Sequence, residues 1–334
     1  MSTLRDVAKL ANVSAATVSR VLSEDHTFKI SDETRQTIMD AVATLNYTYK
    51  SKKKGSIPFR VAVILALTSE KYGDPFFNTI LSTIEEECSK HNINLIAIKN
   101  YTELNAPNGF QELLDLQPDG VFLMENLPKS ILDALVREIN HIVGIDFDSY
   151  HFNNVGFDKL EATNQAMDYL FRKGFRDIAY IGGSTPNEEF EGTHRMIGYR
   201  ESLRRHQIPM NPRIVFDCGW DIDTCAHMTE SLMASEHRPE AIFAGSDTLA
   251  AVILSVLYEK GYKVPEDISV LGFNDIPGSA HTIPTLTTIN VPTKTIGQLA
   301  VKRMRELVIE GDTLITNTLV TTHVVERNSI RKDK

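Results

Sequence analysis

The chain has 334 residues, 42% hydrophobic and 24% charged, the make-up of an ordinary globular protein with two or three folding units. Its three cysteines, Cys88, Cys218 and Cys225, form no CxxC pair and cannot all be bridged, which excludes a disulfide scaffold and fits a reducing, cytoplasmic setting. The net charge of −9 is uneven: residues 1–54 hold nine Lys/Arg against six Asp/Glu (+3), and the other 280 hold 26 against 38 (−12), so a polyanionic partner is expected at the head alone.

The amino terminus, Met1-Ser2-Thr3-Leu4-Arg5-Asp6, lacks the apolar region of a signal peptide, and no later run reaches the length of a membrane span. No membrane partner is therefore expected. Residues 1–46 read as helices only. Leu4, Val7, Ala8 and Ala11 follow helical spacing, Ser14 can cap a second helix marked by Val18, Val21 and Leu22, and Ser31 can cap a third that buries Thr34, Ile38, Ala41, Val42 and Leu45. Residues 47–58 are polar and lysine-rich with Gly55 and Pro58, the texture of a linker; Lys50, Lys52, Lys53 and Lys54 suit either phosphate contact or a solvated tether.

Beyond the linker, apolar strands alternate with amphipathic helices. Strands are predicted at Arg60–Leu67, Asn94–Ile98, Gly120–Met124, Ile142–Ile145, Ile178–Ile181, Ala241–Ala244 and Ser269–Phe273, and helices near 76–90, 129–139, 160–173, 194–206, 222–235, 247–260 and 293–310. This order predicts an α/β class with parallel, doubly wound sheets, and the units are too many for one sheet. Ligands of such sheets bind beyond the carboxyl ends of strands. Those segments here are Thr68–Phe77, Glu125–Leu127, Asp146–Ser149, Gly182–Thr185, Gly245–Asp247 and Asn274–Pro277. Their Asp, Asn, Ser, Thr and Gly content suits a polyhydroxyl ligand and suits ordinary loops equally.

Leu4 to Val21 fits a helix-turn-helix template. Ala8 is small where two helices must touch, Asn12 tolerates the positive φ of a tight turn, and Val13, Val18 and Val21 clamp the second helix. Ser14, Ala15, Ala16, Thr17, Ser19 and Arg20 then remain to face a DNA groove. A generic three-helix packing module would use the same apolar pattern.

The run Thr3-Leu4-Arg5-Asp6-Val7-Ala8-Lys9-Leu10-Ala11-Asn12-Val13-Ser14, followed by Thr17-Val18-Ser19-Arg20-Val21-Leu22, resembles the head of the lactose/galactose repressor family. Phe157-Asp158, Ile178-Ala179-Tyr180-Ile181-Gly182, Arg195-Met196-Ile197-Gly198-Tyr199, Asp267–Asp275 and Pro284–Ile289 resemble the body of the same family, so the likeness spans nearly the whole chain. Ala16–Leu22, Ser31–Arg35 and Glu326–Ile330 look closest to galactose-type operon repressors of Gram-positive bacteria. The resemblance implies an all-α helix-turn-helix head, residues 1–46, a linker or hinge at 47–58, and a periplasmic-binding-protein-like core of two doubly wound Rossmann-type subdomains. Their implied extents are 59–157 plus 288–316, and 158–287 plus 317–334. Two features depart from the family. The residues after Tyr47 lack the apolar lever of its hinge helix, and no leucine heptads precede Lys334, which points to a homodimer rather than a tetramer.

The resemblance also implies sites. DNA contacts fall on Thr3, Leu4, Ser14, Ala15, Ala16, Thr17, Ser19, Arg20, Lys50, Lys52 and Lys53, with Arg20 the expected guanine reader. The effector cleft would use Trp220 as an aromatic platform, Arg195 as a planar donor fork, and Asp74, Phe76, Asp158, Asp247 and Asn274. Asp158 and Asp247 would serve equally as N-caps, and Glu125 is a further candidate. No GxGxxG, P-loop, GxSxG or HExxH stands in the chain, so no enzyme, cofactor or metal is expected. A secreted sugar-binding protein would have a similar body without the head. The expected function is a cytoplasmic repressor of a sugar-utilisation operon, bound to double-stranded, pseudo-palindromic operator DNA. A small sugar, galactose or a galactoside, would release it as inducer. A phosphoprotein partner, as in the catabolite-control group, is the alternative regulator.

Overall fold

The computed structural model describes residues 3–22, 30–45, 47, 59–66, 73–147, 151–185 and 188–332, without the side chains of Arg5 and Ala16. It divides into two units, Met1–Pro58 and Phe59–Lys334.

In the first unit, helix α1 (Leu4–Leu10) begins at a reciprocal cap: the Thr3 hydroxyl accepts the Asp6 amide, and the Asp6 carboxylate accepts the Thr3 amide at 2.7 Å. Asn12 takes the following turn at φ 52°, a left-handed conformation that asparagine tolerates better than bulkier residues. Helix α2 (Ala15–Leu22) starts from Ser14, whose hydroxyl accepts the Thr17 amide at 3.0 Å. Helix α3 (Asp32–Thr44) starts from Ser31 in the same way. Val7, Ala8, Ala11, Val18, Val21, Ile38 and Ala41 are buried together. Val42 and Leu45 pack partly against them, whereas Thr34, expected in the core, is half-buried and pairs its hydroxyl with Ser31 at 2.7 Å.

The second unit holds two six-stranded sheets. In the first the order is β11 (Asn317–Val320), β5 (Asn153–Phe157), β4 (Ile142–Ile145), β3 (Gly120–Met124), β1 (Arg60–Leu65), β2 (Asn94–Asn100), all parallel. In the second it is β12 (His323–Val325), β10 (Thr287–Asn290), β9 (Ser269–Asn274), β8 (Ala241–Ala244), β6 (Ile178–Gly182), β7 (Val215–Asp217), parallel except for β12 against β10. Central strands are buried along their length, as parallel sheets covered on both faces must be.

Helices α4 (Pro75–Lys90) and α12 (Thr293–Ile309) pack together in the first lobe, and α8 (Lys159–Arg172) and α9 (His194–Arg205) in the second. Their apolar faces join one core, in which Phe76, Phe157, Phe273 and Phe243 follow one another at centroid distances of 6.5, 6.1 and 6.3 Å. The first lobe's opposite face is covered by α5 (Tyr101–Asn105), α6 (Gly109–Asp115) and α7 (Lys129–Glu138), and the second lobe's by α10 (Ile222–Ala234) and α11 (Asp247–Glu259).

The chain crosses between sheets after Phe157, after Asn290 and after Val320. The last two crossings lie beyond the expected positions: β10 stays in the second sheet and β11 in the first, so 288–290 and 317–320 change lobes relative to the sequence reading. Five strands (β5, β7, β10, β11, β12) have no counterpart in that reading. β5 shows why. It opens with Asn153 and Asn154, which look like a loop but are buried. The Asn153 side-chain carbonyl accepts Arg303 Nε at 2.8 Å and the Thr316 amide at 2.9 Å, and Asn154 donates to Asn317 at 3.0 Å, all partners 150 or 163 residues away.

Candidate functional site

On the head, Thr3, Ser14 and Arg20 are exposed, and Ala15, Thr17 and Ser19 half-exposed. Ser14 and Thr17 share a hydroxyl–hydroxyl hydrogen bond of 2.8 Å, so any DNA contact by either competes with an existing bond. Leu4 packs partly against the head core, leaving less of it for DNA than expected. Lys50, Lys52 and Lys53, and the Ala16 side chain, lie outside what the structure describes.

In the core, the strand ends of both sheets meet at a cleft lined by Asp74, Phe76, Phe77, Glu125, Asp146, Arg195, Trp220, Ile222, Ser246, Thr248, Leu249 and Asn274. Five of the seven expected effector residues are therefore brought together: Asp74, Phe76, Arg195, Trp220 and Asn274. Glu125, Asp146, Trp220 and Asn274 all have positive φ, at 68°, 57°, 65° and 110°. Four non-glycine residues in that region, all on one cleft, mark a place where the fold holds local strain.

Trp220 sits in the turn between β7 and α10, with its ring against the backbone of the β6 end. A Cβ on Gly183 would lie 2.4 Å from the Trp220 amide nitrogen and 2.8 Å from the ring, so glycine there admits the indole. Arg195, in the first turn of α9, has its guanidinium 4.2 Å from the Phe273 ring centroid and 5.5 Å from that of Trp220. Two aromatic rings thus aim the fork. Its Nε is buried without a hydrogen-bond partner, as is Asn274 Oδ1. An unsatisfied buried polar group costs about 1–3 kcal/mol, and an orphan donor and an orphan acceptor on one cleft fit a ligand supplying both.

The remaining two expected residues are corrected. Asp158 is exposed and caps α8, accepting the Glu161 amide at 2.9 Å, and it is absent from the cleft lining. Asp247 is 1% exposed, and its carboxylate accepts Ser279 Oγ at 2.6 Å, Thr288 Oγ1 at 2.6 Å and the Ile276 amide at 2.9 Å. Burial pushes its pKa up to about 7 against those three donors. It fastens the 276–279 segment to β10, and its neighbours Ser246 and Thr248 face the cleft instead.

The sequence reading also missed Asp146 and Lys159. Lys159, at the start of α8, donates to the Asp146 carbonyl at 2.9 Å and lies 3.6 Å from its carboxylate. Both belong to the polar end of the cleft, with Glu188 and His194. Asp146 lay within a strand-end segment and was legible to that extent; Lys159 carries no sequence signal. A second tie spans the cleft, where Asp74 accepts the Phe76 amide at 2.8 Å as cap of α4 and the Thr248 hydroxyl of the second lobe at 3.0 Å.

A helix-turn-helix unit in one chain with a two-lobed α/β core and an interlobe cleft defines a DNA-binding regulator with a ligand-sensing body. Residues 3–49 match the bacterial regulatory proteins of the lacI family, and residues 167–330 the periplasmic binding protein-like domain. The ribose operon repressor of Haemophilus influenzae is 30% identical over 308 residues, 91% of each chain. The probable transcriptional repressor ExuR of Bacillus subtilis is 28% identical over 345 residues, 99% of each. The lac repressor dimer bound to operator and the anti-inducer ONPF has the same fold, with a TM-score of 0.71 at 24% identity over 98% of each chain.

The chain belongs to the lacI family of bacterial regulatory proteins, as a DNA-binding transcriptional repressor and not an enzyme. The finer expectation of closeness to galactose-type repressors gains no support from these relatives, whose names point to ribose and to ExuR, with MelR and PurR proteins among the others. Among the described residues no helix is long and apolar enough to cross a membrane, and no cluster of His, Cys, Asp or Glu could hold a metal ion.

Proposed function

We propose that this repressor controls a sugar-utilisation operon and leaves its operator when a small neutral sugar enters the interlobe cleft. The observation that carries this reading is the pairing of an orphan donor, Arg195 Nε, and an orphan acceptor, Asn274 Oδ1, beside the Trp220 and Phe76 rings. Each hydroxyl of a sugar both donates and accepts, and its C–H face packs on an aromatic ring. The charges argue against an anionic effector. Asp74, Glu125 and Asp146 stand on the lining with Arg195, and Lys159 already engages Asp146. A phosphate or uronate would meet more carboxylates than cations there. Galactose or a small galactoside is the first compound to try, on the sequence resemblance.

Two protomers would present two heads to a pseudo-palindromic operator, with half-sites about 34–36 Å apart or a multiple of that. Tyr258 and Ile283, 80% and 90% exposed, supply apolar surface for a second copy. A cytoplasmic location follows from DNA as partner.

The test is a thermal-shift and Trp220-fluorescence screen of the full-length protein with galactose, galactosides, ribose, glucose, galacturonate, sugar phosphates and purines. Hits are then tested for operator release. A neutral sugar that raises melting and weakens operator binding is the expected result. A purine, uronate or sugar phosphate that binds while every neutral sugar is silent overturns it, and a hit that tightens operator binding reverses the sign of regulation.

A further inference from the structure

The body is acidic, with 38 Asp/Glu against 26 Lys/Arg beyond residue 54, yet one depression on the second lobe runs against that balance. It holds about 420 Å³ at the ends of α8 and α9 and is lined by Asp168, Phe171, Arg172, Arg176, Arg205 and His206. Lys159 and Arg195, which stand at the effector cleft, are 13 and 10 residues back from Arg172 and Arg205 along the same two helices. At the rise of an α-helix that is about 15–20 Å, so the depression is a separate place.

Each guanidinium there has donors left over. Arg172, the last residue of α8, is exposed and has no hydrogen-bond or ion-pair partner among the described residues. Arg176 uses Nη1 alone, on the Phe171 carbonyl at 3.1 Å and the Phe175 carbonyl at 2.8 Å, which fixes its fork and leaves Nε and Nη2. Arg205 uses Nη2 in the same way, on Asn164 Oδ1 at 3.1 Å and Ser202 Oγ at 3.0 Å, and keeps Nε and Nη1. The His206 ring lies 4.0 Å from that of Phe171, and its Nδ1 meets the Ser202 carbonyl at 3.0 Å, which leaves Nε2.

The negative charge at the depression is smaller. Asp168 brings one charge, 3.5 Å from Arg205 Nη2, and the two helix C-termini bring about half a charge each. Three guanidiniums exceed that sum by about one charge before His206 is considered. The excess is also confined. Asp177 follows Arg176, Glu201 stands one turn before Arg205, and Glu240 accepts the Arg176 amide at 2.8 Å. The positive potential therefore stops short of the extended stripe that a nucleic-acid duplex requires.

We propose that this depression binds a compact anion carrying two phosphate groups, of which a diphosphate is the simplest. Three forks, each able to grip two oxygens, outnumber the three terminal oxygens of a single phosphate ester. A volume of 420 Å³ falls within the range of small-molecule sites, about 300–1,000 Å³. The site gives the repressor a second ligand and does not depend on what enters the cleft.

Isothermal titration of the full-length protein with pyrophosphate, inorganic phosphate and a non-operator DNA duplex, in about 0.15 M salt without divalent metal, tests it. Pyrophosphate should bind about tenfold or more tighter than inorganic phosphate. Arg172→Glu removes a side chain with no bond to lose, and should weaken pyrophosphate by about tenfold or more. Arg213→Glu makes the same change of charge at an exposed position of the same lobe outside the depression, and should stay within about twofold of the wild type. Melting curves identify a variant that has lost the fold, and the comparison of the two phosphates on the wild type decides without either. Silence of pyrophosphate, unchanged affinity in Arg172→Glu, or equal losses in the two variants overturns the site. So does inorganic phosphate binding as tightly as pyrophosphate, or a duplex that displaces pyrophosphate and itself loses affinity in Arg172→Glu, since the occupant is then a single phosphate ion or a nucleic acid.

Discussion

Arg195 and Asp247 are both charged residues near strand ends, and the structure gives them opposite fates. Arg195 is held by the faces of Trp220 and Phe273 with its Nε unsatisfied, an arrangement that stores a cost until a ligand arrives. Arg195→Ala should weaken effector binding by about 1.5–3 kcal/mol, the range for a charge-assisted bond. Trp220 fluorescence titration measures this, and effector-free operator affinity should stay unchanged in the same variant.

Asp247 is satisfied by three donors and does its work inside the second lobe. Its folded pKa, about 7, lies above the ordinary aspartate value of 3.8 that it has unfolded. The folded state therefore holds this proton more tightly than the unfolded one. The stability it contributes is full below pH 4 and is lost as pH rises through about 7. Melting temperature should fall between pH 5 and pH 8 more steeply in the wild type than in Asp247→Asn. Equal slopes in the two proteins would show that Asp247 is charged throughout.

The elements of the head depend on short-range rules. Thr3, Ser14 and Ser31 each cap the helix that follows, and a single residue, Asn12, makes the turn between α1 and α2. The exposed face of α2 then ends in Arg20, the side chain long enough to reach a base edge from the end of the helix. Arg20→Ala should cost about 1–3 kcal/mol of operator affinity and relax the preference at one base pair. A salt-matched titration against operator variants reads both effects, and unchanged binding would mean that α2 sits in the groove in another register.

For the core as a whole, the two lobes are tied at the cleft by Asp74 with Thr248 and by Asp146 with Lys159. The second tie lies next to the Phe157 crossing, where a change of lobe angle moves atoms least. The first joins the cap of α4 to the first turn of α11 across the cleft mouth and is the better reporter of closure. Thr248→Val keeps the shape and removes the bond. It should weaken effector binding by about 0.5–1.5 kcal/mol through loss of the closed arrangement, with little change in melting temperature. Unchanged affinity in this variant would show that the effector-bound lobes are arranged differently from those described here.

The helices of the head, the strands β1–β4, β6, β8 and β9 and the alternation of strands with helices could all be read from residue order. Caps, turn residues and apolar periodicity act within a few positions of one another. β5, β7, β10, β11 and β12, all at edges or crossovers, could not. β5 and β10 carry Asn and Thr at buried positions, and those residues become strand-formers only when Arg303, Asn317, Ser329 and Asp247 arrive from distant parts of the chain to satisfy them.

The site divides in the same way. The residue types at the strand ends named the cleft, and family likeness named Trp220 and Arg195. Whether an aspartate at such an end faces the ligand, caps a helix or is locked inside a lobe was decided by which partners the folded lobes brought within about 3 Å. Asp74 faces the cleft while capping α4, Asp158 only caps α8, and Asp247 is locked inside the second lobe, because hydrogen-bond geometry, unlike helical periodicity, is set by the packing of segments that sequence distance does not relate.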